Sequence, residues 1–166
     1  MNNLLHVEYG QTGQSASLNE MGMREMQARA FAERNSQYLL IKAPPACGKS
    51  RALMFLGLDK LERQGLRKVI VAVPEKSIGG SFQNTQLTEH GFFADWVVSP
   101  ENNLCVDGSD SGKVNAFQRF MNGDDRILVC THATLRFAFD KLPVAVFNDC
   151  VVAIDEFHHV SADGDN

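Results

Sequence analysis

The sequence predicts an α/β fold in three layers, with a parallel sheet between helices on both of its faces. The first observation is a series of short apolar runs that are rich in β-branched residues. They are continuous and do not alternate with polar residues, which is typical of strands buried on both faces of a parallel sheet. The second observation is that stretches with helical spacing separate the runs. The third is the length of 166 residues, which suits one domain with a sizeable core.

The elements are predicted in order along the chain from these runs and from the stretches between them. The predicted strands are residues 38–43, 68–74, 95–99, 126–131 and 150–155. The predicted helices are residues 21–35, 50–65, 112–123 and 132–142. Gly65 follows the last helix-forming residues of the second helix and is expected to cap it. The polar segment 99–112 predicts a loop with a short additional strand at 104–106.

The chain is expected to hold one domain at residues 20–166, preceded by an extension at residues 1–19. Its first residues lack a basic region followed by an apolar stretch, so no secretory signal is predicted. No apolar run approaches the ~20 residues that span a bilayer, so no membrane association is expected. The chain stops soon after the apolar run 150–155, where an α/β sheet would normally continue. We therefore expect it to be the N-terminal part of a longer protein.

Composition limits the classes of site that the chain can form. The four cysteines are widely scattered and form no C-x-x-C pair, which argues against a zinc cluster or a disulfide framework and favours the reducing cytoplasm. The formal net charge is −4, whereas proteins that bind nucleic acid mainly through charge are usually basic. Any nucleic-acid contact would therefore depend on backbone amides, on helix N-termini or on another domain.

A candidate phosphate-binding loop, "KAPPACGKS", lies between the first predicted strand and the second predicted helix. Its candidate nucleotide-binding residues are Ala46, Cys47, Gly48, Lys49 and Ser50. Backbone N–H groups at a helix N-terminus can hold phosphate oxygens. Lys49 would neutralise the β- and γ-phosphates, and the Ser50 hydroxyl would ligate Mg²⁺. Ala46 replaces a glycine of many such loops, at a cost of about 1 kcal/mol if its φ is positive. A proline-rich turn before a helix is the alternative.

Two carboxylates, Asp155 and Glu156, follow the last apolar run. They are predicted to lie at the carboxyl ends of the strands, the edge at which ligands of open α/β sheets bind. Asp155 would hold Mg²⁺ through water, and Glu156 would orient and deprotonate an attacking water. Acidic residues in the first turn of a helix are the alternative, which the upstream G-K-S sequence disfavours. His158 and His159 lack the spacing of a metal site.

Together these residues resemble the superfamily 2 helicases and translocases of the DExH branch, specifically their first RecA-like domain. "APPACGKS" resembles motif I, A-x-x-G-x-G-K-[ST], with Ala46 in place of a glycine. "DEFH" fits motif II, D-E-x-H, without departure. The resemblance covers about residues 20–159, and it implies a P-loop domain that binds ATP with Mg²⁺.

Three weaker motifs occur in the order that the family has. "REMQARA" resembles R-x-x-Q-x-x-A, whose glutamine recognises the adenine, which implies this role for Gln27. "VIVAVPEKSI" resembles motif Ia, which contacts the nucleic-acid backbone, here through Lys76 and Ser77. "LVCTHATL" resembles a later strand-and-turn motif in which Thr131 would approach a phosphate.

The resemblance implies a nucleic-acid-dependent ATPase, with DNA favoured over RNA as the partner. A second RecA-like domain in the same full-length chain would supply arginines that stabilise the transferring phosphoryl group. His158 would couple the nucleotide site to the nucleic acid, and its alternative is a half-buried histidine at a turn. Two other functions stay open. One is a P-loop ATPase that acts on protein or small molecules, and the other is a non-catalytic nucleotide-binding module for assembly.

Overall fold

The computed structural model of the protein describes residues 4–8, 17–74, 80–106 and 110–157. The chain divides into two compact units, Met1–Lys60 with Thr85–Trp96 and Leu61–Asn84 with Val97–Asn166. All strand pairs within the described residues are parallel. The predicted α/β class, with a parallel sheet flanked by helices, is therefore confirmed.

The first unit contains a two-stranded parallel sheet. Strand β1 is Leu4–Glu8, helix α1 is Glu25–Ala32, and strand β2 is Tyr38–Lys42. Leu4 lies opposite Tyr38 in the pairing of β1 with β2. The sequence predicts an extension without a strand at residues 1–19, so β1 is an element that the sequence pattern does not indicate.

Helix α2 is Lys49–Arg63, close to the predicted bounds. Gly65 follows it with a φ of 72°, the left-handed conformation that glycine adopts at helix C-termini. In the first unit, Phe92 packs edge-on against Phe31 and Phe55, with ring centroids 5.9 and 4.7 Å away. These aromatic contacts, with the fully buried Trp96, form part of the core of that unit.

The second unit contains a three-stranded parallel sheet in the order β4-β3-β5. Its elements are β3 (Lys68–Val73), α3 (Asp110–Asn122), β4 (Ile127–Thr131), α4 (His132–Lys141) and β5 (Cys150–Ile154). Short 3-10 helices occur at Leu87–His90, Pro100–Asn102 and Val144–Phe147. None of the helices in the described ranges has both the length and the apolar character needed to cross a bilayer.

The core of the second unit explains why β3 and β4 are continuous apolar runs. Every residue of both strands is buried, as predicted. The buried residues of this core are Ile70, Ala72, Leu104, Phe117, Phe120, Met121, Leu128, Cys130, Leu135, Ala138 and Leu142. The prediction that every residue of a strand is buried is wrong for β2 and β5, whose residues are half-buried or exposed. Within the described residues β5 pairs only with β3, so its other edge gains no cover from a strand.

The strand predicted at 95–99 is also wrong. Only Trp96 makes a bridge, an antiparallel one with Thr85, through bonds of 2.9 and 3.0 Å. The Val98 N–H donates to the side-chain oxygen of Asn84 at 2.7 Å, and a 3-10 helix begins at Pro100. The Asn84 side chain thus accepts the hydrogen bond that the Val98 N–H would donate to a neighbouring strand.

The additional strand predicted at 104–106 is wrong for a related reason. Asn103 makes a single parallel bridge with Val129, and the Leu104 N–H donates to the Val129 carbonyl at 2.8 Å. The side-chain oxygen of Asn103 then accepts from the Cys105 N–H at 3.1 Å. This local bond turns the chain after one bridge, as asparagine side chains commonly do in loops.

Candidate nucleotide site

The candidate phosphate loop joins β2 to α2, and Gly48 opens the helix. The Gly48 carbonyl accepts the first helical bond, from the Ala52 N–H at 3.0 Å. The first turn of α2 contains no acidic residue. No carboxylate of this turn therefore neutralises the positive end of the helix dipole. An anionic ligand is favoured at this end of α2.

The backbone of the loop takes the left-handed conformation twice. Ala46 has a φ of 61° and Gly48 has a φ of 83°. Because the φ of Ala46 is positive, the missing glycine carries a cost in free energy. That cost is about 1–2 kcal/mol, because the Cβ of an L-residue crowds the following carbonyl in this region. Alternation of left-handed residues with others lets successive N–H groups converge on an anion.

Helix α1 contacts the loop through its N-terminal turn. Gln27 is only 2% exposed. Its Oε1 accepts from the Arg24 N–H at 2.8 Å, and its Nε2 donates to the Gly48 carbonyl at 3.0 Å. The Arg24 Nη1 donates to the Ala46 carbonyl at 3.5 Å. Gln27 thus lies at the loop, and the adenine recognition implied by the resemblance stays a prediction.

The acidic strand end of the second unit is held by backbone bonds. The Asp155 N–H donates to the Ala72 carbonyl at 2.9 Å, which extends the pairing of β5 with β3. Asp155 is buried, and its Oδ1 accepts from the Glu156 N–H at 3.1 Å. Glu156 has a φ of 53°, a conformation that costs a non-glycine residue free energy. These hydrogen bonds and the positive φ therefore constrain the backbone that carries the two carboxylates.

His132, which the sequence analysis did not select, contacts this strand end directly. It is the first residue of α4, and its Nε2 lies 2.8 Å from the Asp155 carbonyl oxygen. Because a carbonyl only accepts, the imidazole donates from Nε2. The signal for it was its position just after β4, since the carboxyl ends of neighbouring parallel strands lie at one edge of a sheet.

Thr131 ends β4 at the same edge as Asp155. Thr131 pairs with Val73 and Ile154 pairs with Ala72, so β4 and β5 end on the two sides of β3. The Thr131 hydroxyl accepts from the Thr134 N–H at 3.2 Å and caps α4. Thr131 is buried, with 7% of its surface exposed. The contact of Thr131 with a nucleic-acid phosphate stays a prediction.

The remaining predicted site residues are placed as follows. Cys47, Lys49 and Ser50 are half-buried in the first unit, whereas Asp155 and Glu156 belong to the second. Lys76, Ser77 and His158 lie outside the described residues. Within the described ranges, no group of three or more His, Cys, Asp or Glu side chains could hold a metal ion.

The thiols differ in their surroundings, and those described are free: Cys47, Cys105, Cys130 and Cys150. Burial raises the pKa of Cys105 to about 11, and it raises the pKa of Cys130 further. Both thiols are therefore protonated at neutral pH, and the thiolate is the form that attacks substrates or binds metals. These two cysteines are inert packing residues.

Comparison with known proteins gives one relative. The chain is 66% identical over 163 residues to the Bacillus subtilis (strain 168) protein named "Putative ATP-dependent helicase YeeB". The match covers 98% of this chain and 27% of the relative, so the chain spans about a quarter of the relative's length. No family model matches the chain, and no solved structure matches it significantly. The chain is therefore similar to one part of a protein whose name describes its whole length.

Proposed function

We propose that the chain is the ATP-binding part of a nucleic-acid-dependent ATPase, a DExH-type helicase or translocase. In this proposal ATP hydrolysis drives the remodelling of DNA or RNA. The observation that carries it is the loop between β2 and α2, where Gly48 opens a helix whose first turn contains Lys49 and Ser50 and no acidic residue. The similarity to a protein whose name contains "ATP-dependent helicase" supports the same function.

The loop residues have distinct roles in this proposal. The backbone N–H groups of Ala46, Cys47 and Gly48 donate to phosphate oxygens, as in other loops that precede a helix. The Lys49 ammonium group stabilises negative charge on the β- and γ-phosphates during transfer. The Ser50 hydroxyl would supply an oxygen ligand to Mg²⁺. The half-buried positions of Lys49 and Ser50 suit these roles, because partial exclusion of water strengthens charge interactions.

The acidic pair acts on the same nucleotide, on the ground of the family resemblance. Mg²⁺ prefers oxygen ligands. The Ser50 hydroxyl would bind the ion directly, and the Asp155 carboxylate would hold it through water. When bound, Mg²⁺ would neutralise charge on the transferring phosphoryl group. The Glu156 carboxylate orients the attacking water and accepts its proton. The bonds at Asp155 hold the peptide from which the Glu156 side chain projects.

The partners follow from the resemblance as well. We propose that the chain binds nucleic acid, with DNA favoured over RNA, and that His158 couples this contact to the nucleotide. The residues proposed to contact nucleic acid are Lys76, Ser77 and Thr131. A second RecA-like domain of the same full-length protein would complete the catalytic charge stabilisation. Residues 20–166 would form the first RecA-like domain in the cytoplasm, with residues 1–19 as an extension.

The test is ATP hydrolysis by the full-length protein in the presence of Mg²⁺, alone and with single-stranded DNA, duplex DNA or RNA. Two variants accompany it. Lys49→Ala removes the ammonium group of the loop, whereas Lys141→Ala removes an exposed lysine at the end of α4. We expect stimulation by one polymer, a loss of at least ~100-fold in Lys49→Ala and little change in Lys141→Ala.

Each other outcome selects a different function. Hydrolysis that no polymer changes, but that Lys49→Ala abolishes, would indicate an ATPase that acts on protein or small molecules. Binding of Mg-ATP without hydrolysis under any condition would indicate a nucleotide-binding assembly module. Equal loss in Lys49→Ala and Lys141→Ala would contradict the assignment of the loop.

A further inference from the structure

His132 joins the ends of two strands that are not neighbours in their sheet. β4 ends at Thr131 and β5 ends at Ile154, and the order β4-β3-β5 places β3 between them. The backbone ladders therefore connect each of these strands to β3 and not to each other. The His132 side chain follows β4 directly, and its Nε2 donates to the carbonyl of Asp155, directly after β5, at 2.8 Å. A single hydrogen bond thus spans the end of β3.

The turn that carries His132 is tied to helix α4. The Thr131 hydroxyl accepts from the Thr134 N–H at 3.2 Å, and it lies 3.1 Å from the Thr134 hydroxyl. Both threonines are buried, whereas His132 is half-buried. Because the backbone of His132 belongs to the first turn of α4, a displacement of that turn also moves the imidazole. The proposed function places a nucleic-acid phosphate at Thr131, in this turn.

The backbone on the other side of the bond is strained. Glu156 has a φ of 53°, a conformation that costs free energy in a residue with a Cβ atom. Two hydrogen bonds hold it there, from the imidazole to the Asp155 carbonyl and from the Glu156 N–H to Oδ1 of Asp155 at 3.1 Å. The cost of such a conformation and the net free energy of one hydrogen bond are of the same order. Loss or gain of the His132 bond can therefore shift Glu156 between this conformation and a relaxed one.

We propose that His132 links the nucleic-acid contact at the start of α4 to the catalytic carboxylate of Glu156. A phosphate bound at the first turn of α4 holds that turn, and it raises the fraction of molecules in which the imidazole bonds to Asp155. In that fraction Glu156 is oriented toward the attacking water, so hydrolysis is faster. The inference rests on the proposed function and adds a positioning residue to it.

Two substitutions at position 132 separate the hydrogen bond from packing. His132→Phe retains a ring of similar size but has no donor for the Asp155 carbonyl. His132→Gln has an amide N–H at about the distance of Nε2, so it can donate to the same carbonyl. His90→Phe is the matched control, because His90 is an exposed histidine of the first unit.

The experiment measures the kcat for ATP hydrolysis by the full-length protein and its variants, without polymer and with saturating oligothymidylate, duplex DNA or poly(U). Polymer binding without nucleotide and thermal unfolding are measured in parallel. For the polymer that stimulates the parent, we expect His132→Phe to lower the ratio of stimulated to unstimulated kcat by about three- to ten-fold. We expect His132→Gln to recover most of that ratio and His90→Phe to match the parent. The affinity for the polymer should stay near that of the parent in all variants.

Four outcomes would overturn the inference while leaving the proposed function in place. An equal fall in kcat with and without polymer would show that His132 positions Glu156 without linking it to the nucleic acid. An unchanged ratio in His132→Phe would show that the bond has no role in stimulation. A ratio that His132→Gln lowers as much as His132→Phe would attribute the effect to something other than the hydrogen bond. Polymer binding that weakens in proportion to the ratio would indicate a direct contact.

A parent protein that hydrolyses ATP but that no polymer stimulates would overturn the proposed function and this inference with it. The parent therefore tests the proposed function, and the variants at position 132 test the link.

Discussion

Ala46 shows how a single residue shapes the candidate site. Its φ of 61° lies in the left-handed region, which is favoured by glycine and costs alanine about 1–2 kcal/mol. The Ala46 carbonyl accepts from the Arg24 side chain, and this bond helps to hold the conformation. Among the described non-glycine residues, only Asp149 and Glu156 share a positive φ with Ala46. Two of these three positions thus belong to the proposed site.

Replacing Ala46 by glycine is expected to stabilise the protein slightly. The relief of about 1–2 kcal/mol in the folded loop exceeds the ~0.4–1 kcal/mol that glycine adds to the entropy of the unfolded chain. We expect a gain of about 0.5 kcal/mol in the free energy of unfolding of Ala46→Gly, measured by urea denaturation. Ala43→Gly is the matched control, since Ala43 has no positive φ and should lose stability. A loss in both variants would contradict the strain assigned to Ala46.

At the scale of elements, His132 joins the start of α4 to the end of β5. Its Nε2 donates to the Asp155 carbonyl at 2.8 Å, while the Glu156 N–H of the same peptide donates to Oδ1 of Asp155. Both polar groups of the peptide that precedes Glu156 are therefore bonded. The first residue of α4 therefore helps to fix the backbone from which the proposed catalytic carboxylate, that of Glu156, extends.

His132→Phe is expected to lower the free energy of unfolding by about 1–2 kcal/mol, because the Asp155 carbonyl loses its imidazole donor. If the bond positions Glu156, the kcat for ATP hydrolysis falls while the KM for ATP changes little. The measurements are urea denaturation and steady-state kinetics of the full-length protein. His90→Phe makes the same replacement at an exposed histidine of the first unit and should change neither quantity. A stability loss with unchanged kcat would leave His132 a purely structural role.

Lys68 links the start of β3 to the end of α3. Its ammonium group donates to the Gly123 and Asp125 carbonyls and lies 4.5 Å from the centroid of the Phe120 ring. The residue is buried, and desolvation lowers its pKa below the ordinary value of 10.5. Its charged form is thus less favoured in the folded than in the unfolded protein.

Lys68→Met is expected to lower the free energy of unfolding by about 1–2 kcal/mol at pH 7, since two carbonyls lose a donor. The difference between parent and variant should widen as the pH rises toward 10.5. In that range the unfolded lysine binds more protons than the folded one, so stability rises with pH. Urea denaturation of both proteins between pH 7 and pH 10 measures the difference. A difference that narrows with pH would show that folding favours the charged lysine.

At the scale of the whole molecule, the net charge of −4 limits how the chain can bind a polyanion. The chain spans 27% of the length of the relative, and the proposed function assigns a second RecA-like domain to a longer protein. Cationic groups outside the chain would supply both the attraction to nucleic acid and the stabilisation of the transferring phosphoryl group. In the proposed function, this chain would therefore provide the nucleotide-binding groups, and the cationic groups for nucleic acid and for the phosphoryl group would lie outside it.

The chain of residues 1–166 alone is expected to hydrolyse ATP at least ~100-fold more slowly than the full-length protein with its nucleic acid. The reason is that it lacks the arginines proposed for the second RecA-like domain. Both proteins are compared in a steady-state assay, with binding of Mg-ATP as a check that the loop of the short chain is intact. Similar turnover by the two proteins would show that the chain contains all the catalytic groups.

The local order of elements was predictable from the sequence because it depends on neighbouring residues. β3, β4 and the helices α2, α3 and α4 lie close to their predicted segments, since apolar continuity and helical spacing act over a few positions. Helix α1 covers only Glu25–Ala32 of its predicted segment 21–35. The strand at 95–99 was not predictable in the same way. Its apolar residues instead surround a single bridge at Trp96, and the Val98 N–H bonds to the side chain of Asn84, 14 positions away. Apolar composition indicates burial, but it does not specify which group satisfies the backbone.

The sequence by itself determined the α/β class and the position of the G-K-S loop at a strand-to-helix junction, because both follow from local patterns. Only the tertiary structure decided that β2 pairs with β1 and that β3 lies between β4 and β5. It also decided that Gln27 holds the Gly48 carbonyl and that His132 holds the Asp155 carbonyl. These partners are 21 and 23 positions apart, and a hydrogen bond between such groups exists only once packing has brought them together.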